Sequence, residues 1–114
     1  MQKLADQIAA ADAVIISTPE YNKSISGVLK NALDWVSRTE GNVWNDKPVA
    51  IMSATAGRSG GERTQYALRL CMTPFAANVL QGPEVLIGAS FNAFDDDGHL
   101  KDEAAQKFLT DLMD

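Results

Sequence analysis

Apolar residues along this chain alternate between helical spacing and short unbroken runs. Leu4, Ile8 and Ala11 recur every three to four positions and lead through Asp12 into Ala13-Val14-Ile15-Ile16-Ser17. That β-branched run predicts a buried strand directly after a helix. Residues 18–23 break the pattern, because Pro19 fixes its own backbone and biases Thr18 toward an extended form. Ser26 is a candidate N-cap for the next helix, with Val28, Leu29, Ala32, Leu33 and Val36 on one face and Lys30, Asn31, Asp34 and Arg38 on the other. After polar residues 39–47, Pro48-Val49-Ala50-Ile51-Met52-Ser53 predicts a second buried strand, which runs into small residues at 54–61. A third helix is expected over about 62–72 with Ala67, Leu70 and Cys71 inward, ended by Pro74. Pro83-Glu84-Val85-Leu86-Ile87-Gly88 is the third strand candidate. Asp102 caps a last helix striped by Ala104, Ala105, Phe108, Leu109, Leu112 and Met113.

From the first strand onward the order is βαβαβα. Continuous apolar strands alternating with amphipathic helices predict an α/β fold, a parallel sheet with helices on both faces. Right-handed crossovers then put every strand-to-helix loop on one edge of the sheet, where ligands of such folds bind. Neither a repeat nor a Pro/Ser-rich linker divides the chain, so residues 1–114 are expected to form one domain.

Composition narrows the functional classes. With 46% hydrophobic and 22% charged residues, the chain falls in the globular range rather than the disordered one. A formal net charge of -5 gives no basic field for nucleic acid and no cationic run for an anionic membrane. Cys71 is the single cysteine, so neither an internal disulfide nor a cysteine zinc site can form, and a reducing cytoplasm fits. Residues 1–7 lack the cationic start and apolar stretch of a signal peptide. The apolar run at 13–16 is far too short to span a bilayer.

Two loops, 18–24 and 53–61, converge on the ligand-binding rim. Consecutive backbone N–H groups from Glu20 to Lys23 can face carbonyl oxygens and ring nitrogens, and Tyr21 offers an aromatic wall. Ala56, Gly57, Gly60 and Gly61 let a flat ring approach the main chain, with Ser53 or Thr55 to hydrogen-bond its edge. On composition alone, 19–23 reads first as a strand-ending turn, since Pro and Asn are ordinary turn residues. A phosphate-binding P-loop at 57–61 is disfavoured, because the Lys-Ser/Thr pair is absent and Glu62 repels phosphate. Asp95-Asp96-Asp97-Gly98 lacks the ligand spacing of a calcium loop and reads as a solvated turn, with His99 an exposed loop residue after it. Cys71 reads as packing, and Trp35 as a core edge or an oligomer contact. Arg63 is either a solvent-facing helix charge or, near the Gly-rich loop, a site for an anionic group.

Thr18-Pro19-Glu20-Tyr21-Asn22, then Leu29-Lys30-Asn31-Ala32-Leu33-Asp34-Trp35, Lys47-Pro48-Val49 and Gly60-Gly61-Glu62-Arg63-Thr64-Gln65-Tyr66 with Leu68-Arg69, resemble the NADPH-dependent FMN reductase family in order and spacing. That family includes bacterial chromate and quinone reductases and related azoreductases. The resemblance implies a flavodoxin-like fold, FMN as cofactor and NAD(P)H as electron donor. It implies a quinone, azo compound or metal oxyanion as small-molecule acceptor, and a homo-oligomer. Carried over by resemblance, Glu20, Tyr21, Asn22 and Lys23 contact the isoalloxazine ring, much of it through main-chain groups, and Thr55 lies beside it; no catalytic side chain and no metal is expected. The family's phosphate loop, roughly G-S-x-R-x-x-S, does not occur ahead of the first strand. The expectation is therefore a domain reduced to its carboxyl-terminal βαβαβα part, with the inner edge of the first strand open. Three hydrogen bonds to a phosphate, at about 1.5–3 kcal/mol each, amount to on the order of 5 kcal/mol, more than a thousandfold in affinity. The alternative expectation is a non-enzymatic remnant or oligomerising module with weak or no flavin binding.

Overall fold

In the computed structural model, which describes residues 1–114, the chain runs α1 (Gln2–Ala10), β1 (Val14–Thr18), α2 (Gly27–Val36), β2 (Pro48–Ala54), α3 (Glu62–Met72), β3 (Asn78–Val79), β4 (Leu86–Ile87) and α4 (Glu103–Met113). Single 3-10 turns follow α3 at Thr73–Phe75 and β4 at Ser90–Asn92. All strand pairs are parallel. β1 lies along the length of β2, from Val14 opposite Val49 to Thr18 opposite Ser53. The other side of β2 is shared: β3 pairs with its start, Pro48 opposite Asn78, and β4 with its end, Ser53 opposite Leu86.

The strand expected over 83–88 is thus only Leu86–Ile87, and β3 was not foreseen. Pro83 has no N–H to offer a ladder, which delays pairing. A two-residue strand carries no periodicity to read.

Alternation along β2 divides the interior. Val49 and Ile51 join Ile16 beneath α1, α2 and α3, packed on Ala5, Ile8, Leu33, Val36, Leu68 and Met72. Ala50 faces the opposite way and packs with Val85, Ile87 and Leu112, so α4 covers the second face. Burial of β2 on both sides explains its unbroken apolar run. The helix caps read from sequence are in place: Ser26 Oγ accepts from the Leu29 amide at 3.1 Å, and Asp102 Oδ1 from the Ala104 amide at 3.0 Å.

Two buried faces differ from expectation. α3 turns Thr64, Gln65, Leu68 and Met72 inward; Leu70 is 74% exposed, and Ala67 and Cys71 are half-buried. Selecting only apolar residues misplaced the face by about one position, roughly 100° of rotation, because two of its inward residues are polar. On α2, Leu33 and Val36 are buried while Val28 is exposed, and Trp35 is 56% exposed at the edge of the stripe. Trp44 is buried.

β1 pairs with β2 alone, so its other edge is free, as the resemblance implied. Ile15 is 57% exposed, and Leu4, Ile8, Val14, Leu29 and Trp44 help line an apolar groove of about 270 Å³ at this strand. None of the helices is long and apolar enough to cross a membrane.

The rotation of α3 is open to test by urea unfolding. Leu68→Ala is expected to destabilise the protein by about 2–5 kcal/mol, and Leu70→Ala by no more than about 0.5 kcal/mol.

Candidate functional site

Because Thr18 stands opposite Ser53, the carboxyl ends of β1 and β2 lie about 4.8 Å apart. The two loops leave the sheet side by side. In the first, Tyr21 and Ser24 exchange two backbone hydrogen bonds, at 2.9 and 3.1 Å. Asn22 and Lys23 both take positive φ, 52° and 68°, as a two-residue type I′ turn requires. Asn tolerates that conformation, whereas Lys23 holds it at a cost on the order of 1 kcal/mol. The amides of Glu20, Asn22 and Lys23 donate to no main-chain acceptor and remain available at the rim. Tyr21 is 60% exposed, so its ring is free to cover a ligand.

The second loop is pinned from below. Buried Ser53 donates its hydroxyl to the Gly60 carbonyl at 2.5 Å and accepts from Gln65 Nε2 at 2.9 Å. Gln65 Nε2 also donates to the Val85 carbonyl at 2.9 Å. Ser53 is therefore a buried tether, not the ring-edge donor its position suggested. Glycine is required at two positions. A Cβ on Gly61, at φ 97°, would stand 2.5 Å from Ser53 Oγ, and one on Gly60, at φ 71°, would stand 2.7 Å from the Leu86 carbonyl carbon. Thr55 places its amide and carbonyl in bonds to Ile87 and Ser90, both 2.9 Å, so its hydroxyl is the group left for a ligand. Gly57 has open space around it.

Glu20 joins the loops. Its Oε1 accepts from the Thr64 amide at 2.9 Å, across 44 residues. The N-cap of α3 is Gly61, which has no side chain to satisfy the first-turn amides, and Glu20 takes that role from another element. A carboxylate is also favourable there against the positive end of the helix dipole. Thr64 Oγ1 and Gln65 Oε1 are buried without partners in the same first turn. Unpaired buried groups cost about 1–3 kcal/mol each.

The structure thus brings Glu20, Tyr21, Asn22 and Lys23 onto one turn, with Thr55 at the neighbouring strand end. Sequence reasoning missed Ser53 as tether and Gln65 as its partner; Gln65 reads as an ordinary polar helix residue, and nothing local signals its burial. Other candidates lie elsewhere or are occupied. Arg63 is exposed in the first turn of α3, whereas Arg69 donates to the Leu80 carbonyl at 2.9 Å. Asp95, Asp97 and His99 approach one another within 4.8 Å, all exposed, and Asp95 Oδ1 accepts the amides of Asp97 and His99. Lys30, raised above its ordinary value by its hydrogen bond to Asp34, is exposed on the outer face of α2 and pairs within its own helix.

A sequence profile of the NADPH-dependent FMN reductase family matches residues 1–92. The chain belongs to that family. It is 45% identical over 109 residues to an NAD(P)H-dependent FMN reductase of Pseudomonas aeruginosa, covering 96% of this chain and 59% of the relative. It is 41% identical over 111 residues to a quinone reductase of Escherichia coli, again covering 96% of this chain and 59% of that protein. Among solved structures, the flavoenzyme NAD(P)H:acceptor oxidoreductase FerB of Paracoccus denitrificans superposes with a TM-score of 0.85 at 36% identity, over 96% of this chain and 61% of FerB. The fold is flavodoxin-like. The chain spans about three fifths of the length of these relatives.

Residues at this family member's rim fit the ring portion of a flavin: three free main-chain donors, one free hydroxyl, one exposed aromatic ring and a glycine loop of little bulk. The glycine requirement can be checked by thermal or urea unfolding. Gly61→Ala is expected to destabilise by about 2 kcal/mol or more, from the left-handed backbone and the clash with Ser53. Gly57→Ala should stay within about 0.5 kcal/mol.

Proposed function

We propose that this chain seats the isoalloxazine ring of FMN in an NAD(P)H-dependent oxidoreductase that reduces quinones, azo compounds or metal oxyanions. The observation that carries the reading is the Glu20 to Thr64 bond, which draws two loops with free ring-edge donors onto one rim. FMN, when bound, supplies the two-electron chemistry between NAD(P)H and the acceptor. The residues of the chain bind and orient. The amides of Glu20, Asn22 and Lys23 donate to acceptors on the ring edge, the Thr55 hydroxyl bonds from the neighbouring strand end, and Tyr21 supplies an aromatic surface. Backbone dipoles aimed at the ring tune its electronics without an acid or base side chain.

In this reading residues 1–114 are one part of a flavodoxin-like domain, and phosphate anchoring comes from elements outside the three fifths that match the relatives. The free edge of β1 is where such elements would extend the sheet. Exposed Trp35 and Val28 on α2 give a surface for a homo-oligomer, and the cytoplasm is the compartment that suits a single unpaired cysteine. The second reading, a non-enzymatic oligomerising module, is favoured by the open edge and exposed Ile15.

Titration with FMN separates them. The chain alone and the chain extended by the amino-terminal segment of the Pseudomonas aeruginosa relative are each followed by flavin fluorescence and visible absorbance. The extended form is expected to bind stoichiometrically and oxidise NAD(P)H, with affinity about a thousandfold higher than the chain alone if three phosphate bonds are gained. Absence of bound flavin in both forms would overturn the enzyme reading. Within the extended form, Tyr21→Ala is expected to weaken FMN by about 3- to 10-fold, the equivalent of one aromatic contact at about 0.5–1.5 kcal/mol.

A further inference from the structure

We infer that Glu20 is a positioning residue of the rim: its carboxylate acts on α3, not on the ring, and fixes where the Tyr21–Ser24 turn stands relative to the 57–61 loop. The inference rests on the reading of this rim as a ring seat. Two consecutive residues of α3 hold one loop each. The Thr64 main-chain N–H donates to Glu20 of the first loop at 2.9 Å, and the Gln65 side-chain Nε2 donates to Ser53 below the second, whose hydroxyl is bonded to Gly60. The first turn of α3 is therefore the common anchor against which both loops are aligned.

Three features make Glu20 the determining contact. First, Gly61 cannot be exchanged for a capping residue, because its φ of 97° and the 2.5 Å approach of Ser53 Oγ exclude a side chain. The first turn of α3 must be capped from outside. Second, Thr64 is fully buried, so water competes poorly for its amide. Third, Glu20 directly precedes the turn, and its main-chain N–H is one of the free donors at the rim. Fixing its side chain fixes the direction of that N–H and the starting point of the two positive-φ residues that follow. Oε1 of the carboxylate is held by the Thr64 amide, while the Glu20 main-chain N–H stays free at the rim.

The length of the side chain is part of the inference. Gln keeps an oxygen at the same reach, Asp withdraws it by one methylene, and Ala removes it. In the unliganded protein, amide order parameters of Asn22 and Lys23 are expected to fall from about 0.85 to below about 0.6 in Glu20→Ala and Glu20→Asp. Glu20→Gln should retain the wild-type values. Ala67→Gly, which weakens α3 by lowering helix propensity and removing one methyl packed against the core, should leave the turn unchanged. FMN affinity in the extended chain described above should drop at least tenfold for Glu20→Ala and stay within threefold for Glu20→Gln.

The inference is overturned if Glu20→Ala leaves the turn rigid, if Ala67→Gly loosens it equally, or if Glu20→Gln lowers affinity as much as Ala does. The last result would assign the charge itself to the ligand. Loss of turn order without loss of affinity also overturns it, reducing Glu20 to a tie within the fold. Because the order parameters are read without flavin, failure of the ring-seat reading is distinguishable: the turn would respond as stated while no variant, nor the wild type, binds FMN.

Discussion

The first turn of α3 has amides that its own N-cap cannot satisfy, and the rim is organised around meeting that need. Gly61 is dictated by the close passage of Ser53, so capping had to come from another part of the chain. The carboxylate of Glu20 arrives from the end of β1 and closes the gap at 2.9 Å. An elementary requirement of helices, that terminal N–H groups find acceptors, thus links two segments 44 residues apart. The geometry of the turn that follows depends on that link.

The sheet provides the frame. β2 is buried on both faces and carries neighbours on both sides, so its end at Ser53 and Ala54 is the most constrained point near the rim. β1 shares its full length with β2 and transmits that placement to Thr18. Rigid strand ends topped by loops whose main-chain donors remain free are suited to recognition through backbone groups, which a ligand can use without a dedicated side chain.

Much of this was legible in the sequence, and the exceptions have physical causes. The extent of α3, the caps at Ser26 and Asp102, and the strands expected over 13–17 and 48–53, observed as Val14–Thr18 and Pro48–Ala54, follow from periodicity and from turn and capping residues. The inward face of α3 did not, because Thr64 and Gln65 are buried for hydrogen bonding and an apolar count passes over them. β3 escaped because pairing of Asn78 and Val79 is imposed by β2 rather than by their own pattern. At the rim, residue types marked the loops correctly but not the division of labour. Ser53 is directed downward to hold glycine, and the carboxylate of Glu20 is turned toward a helix.

The placement of α1 gives the sheet a direction of growth. α1 and α2 pack on the same face, sharing one core through Ala5, Ile8, Leu33 and Val36. Parallel crossovers are right-handed in nearly all proteins; the step from β1 through α2 moves the sheet toward β2, so a strand joined through α1 would lie on the opposite flank of β1. A helix shielding Ile15, which points to the α4 side with Ala50, would belong to a crossover travelling the other way. Handedness therefore assigns the free edge of β1 to any strand that enters through α1, which sets the free amides of the Tyr21–Ser24 turn at the border between the two.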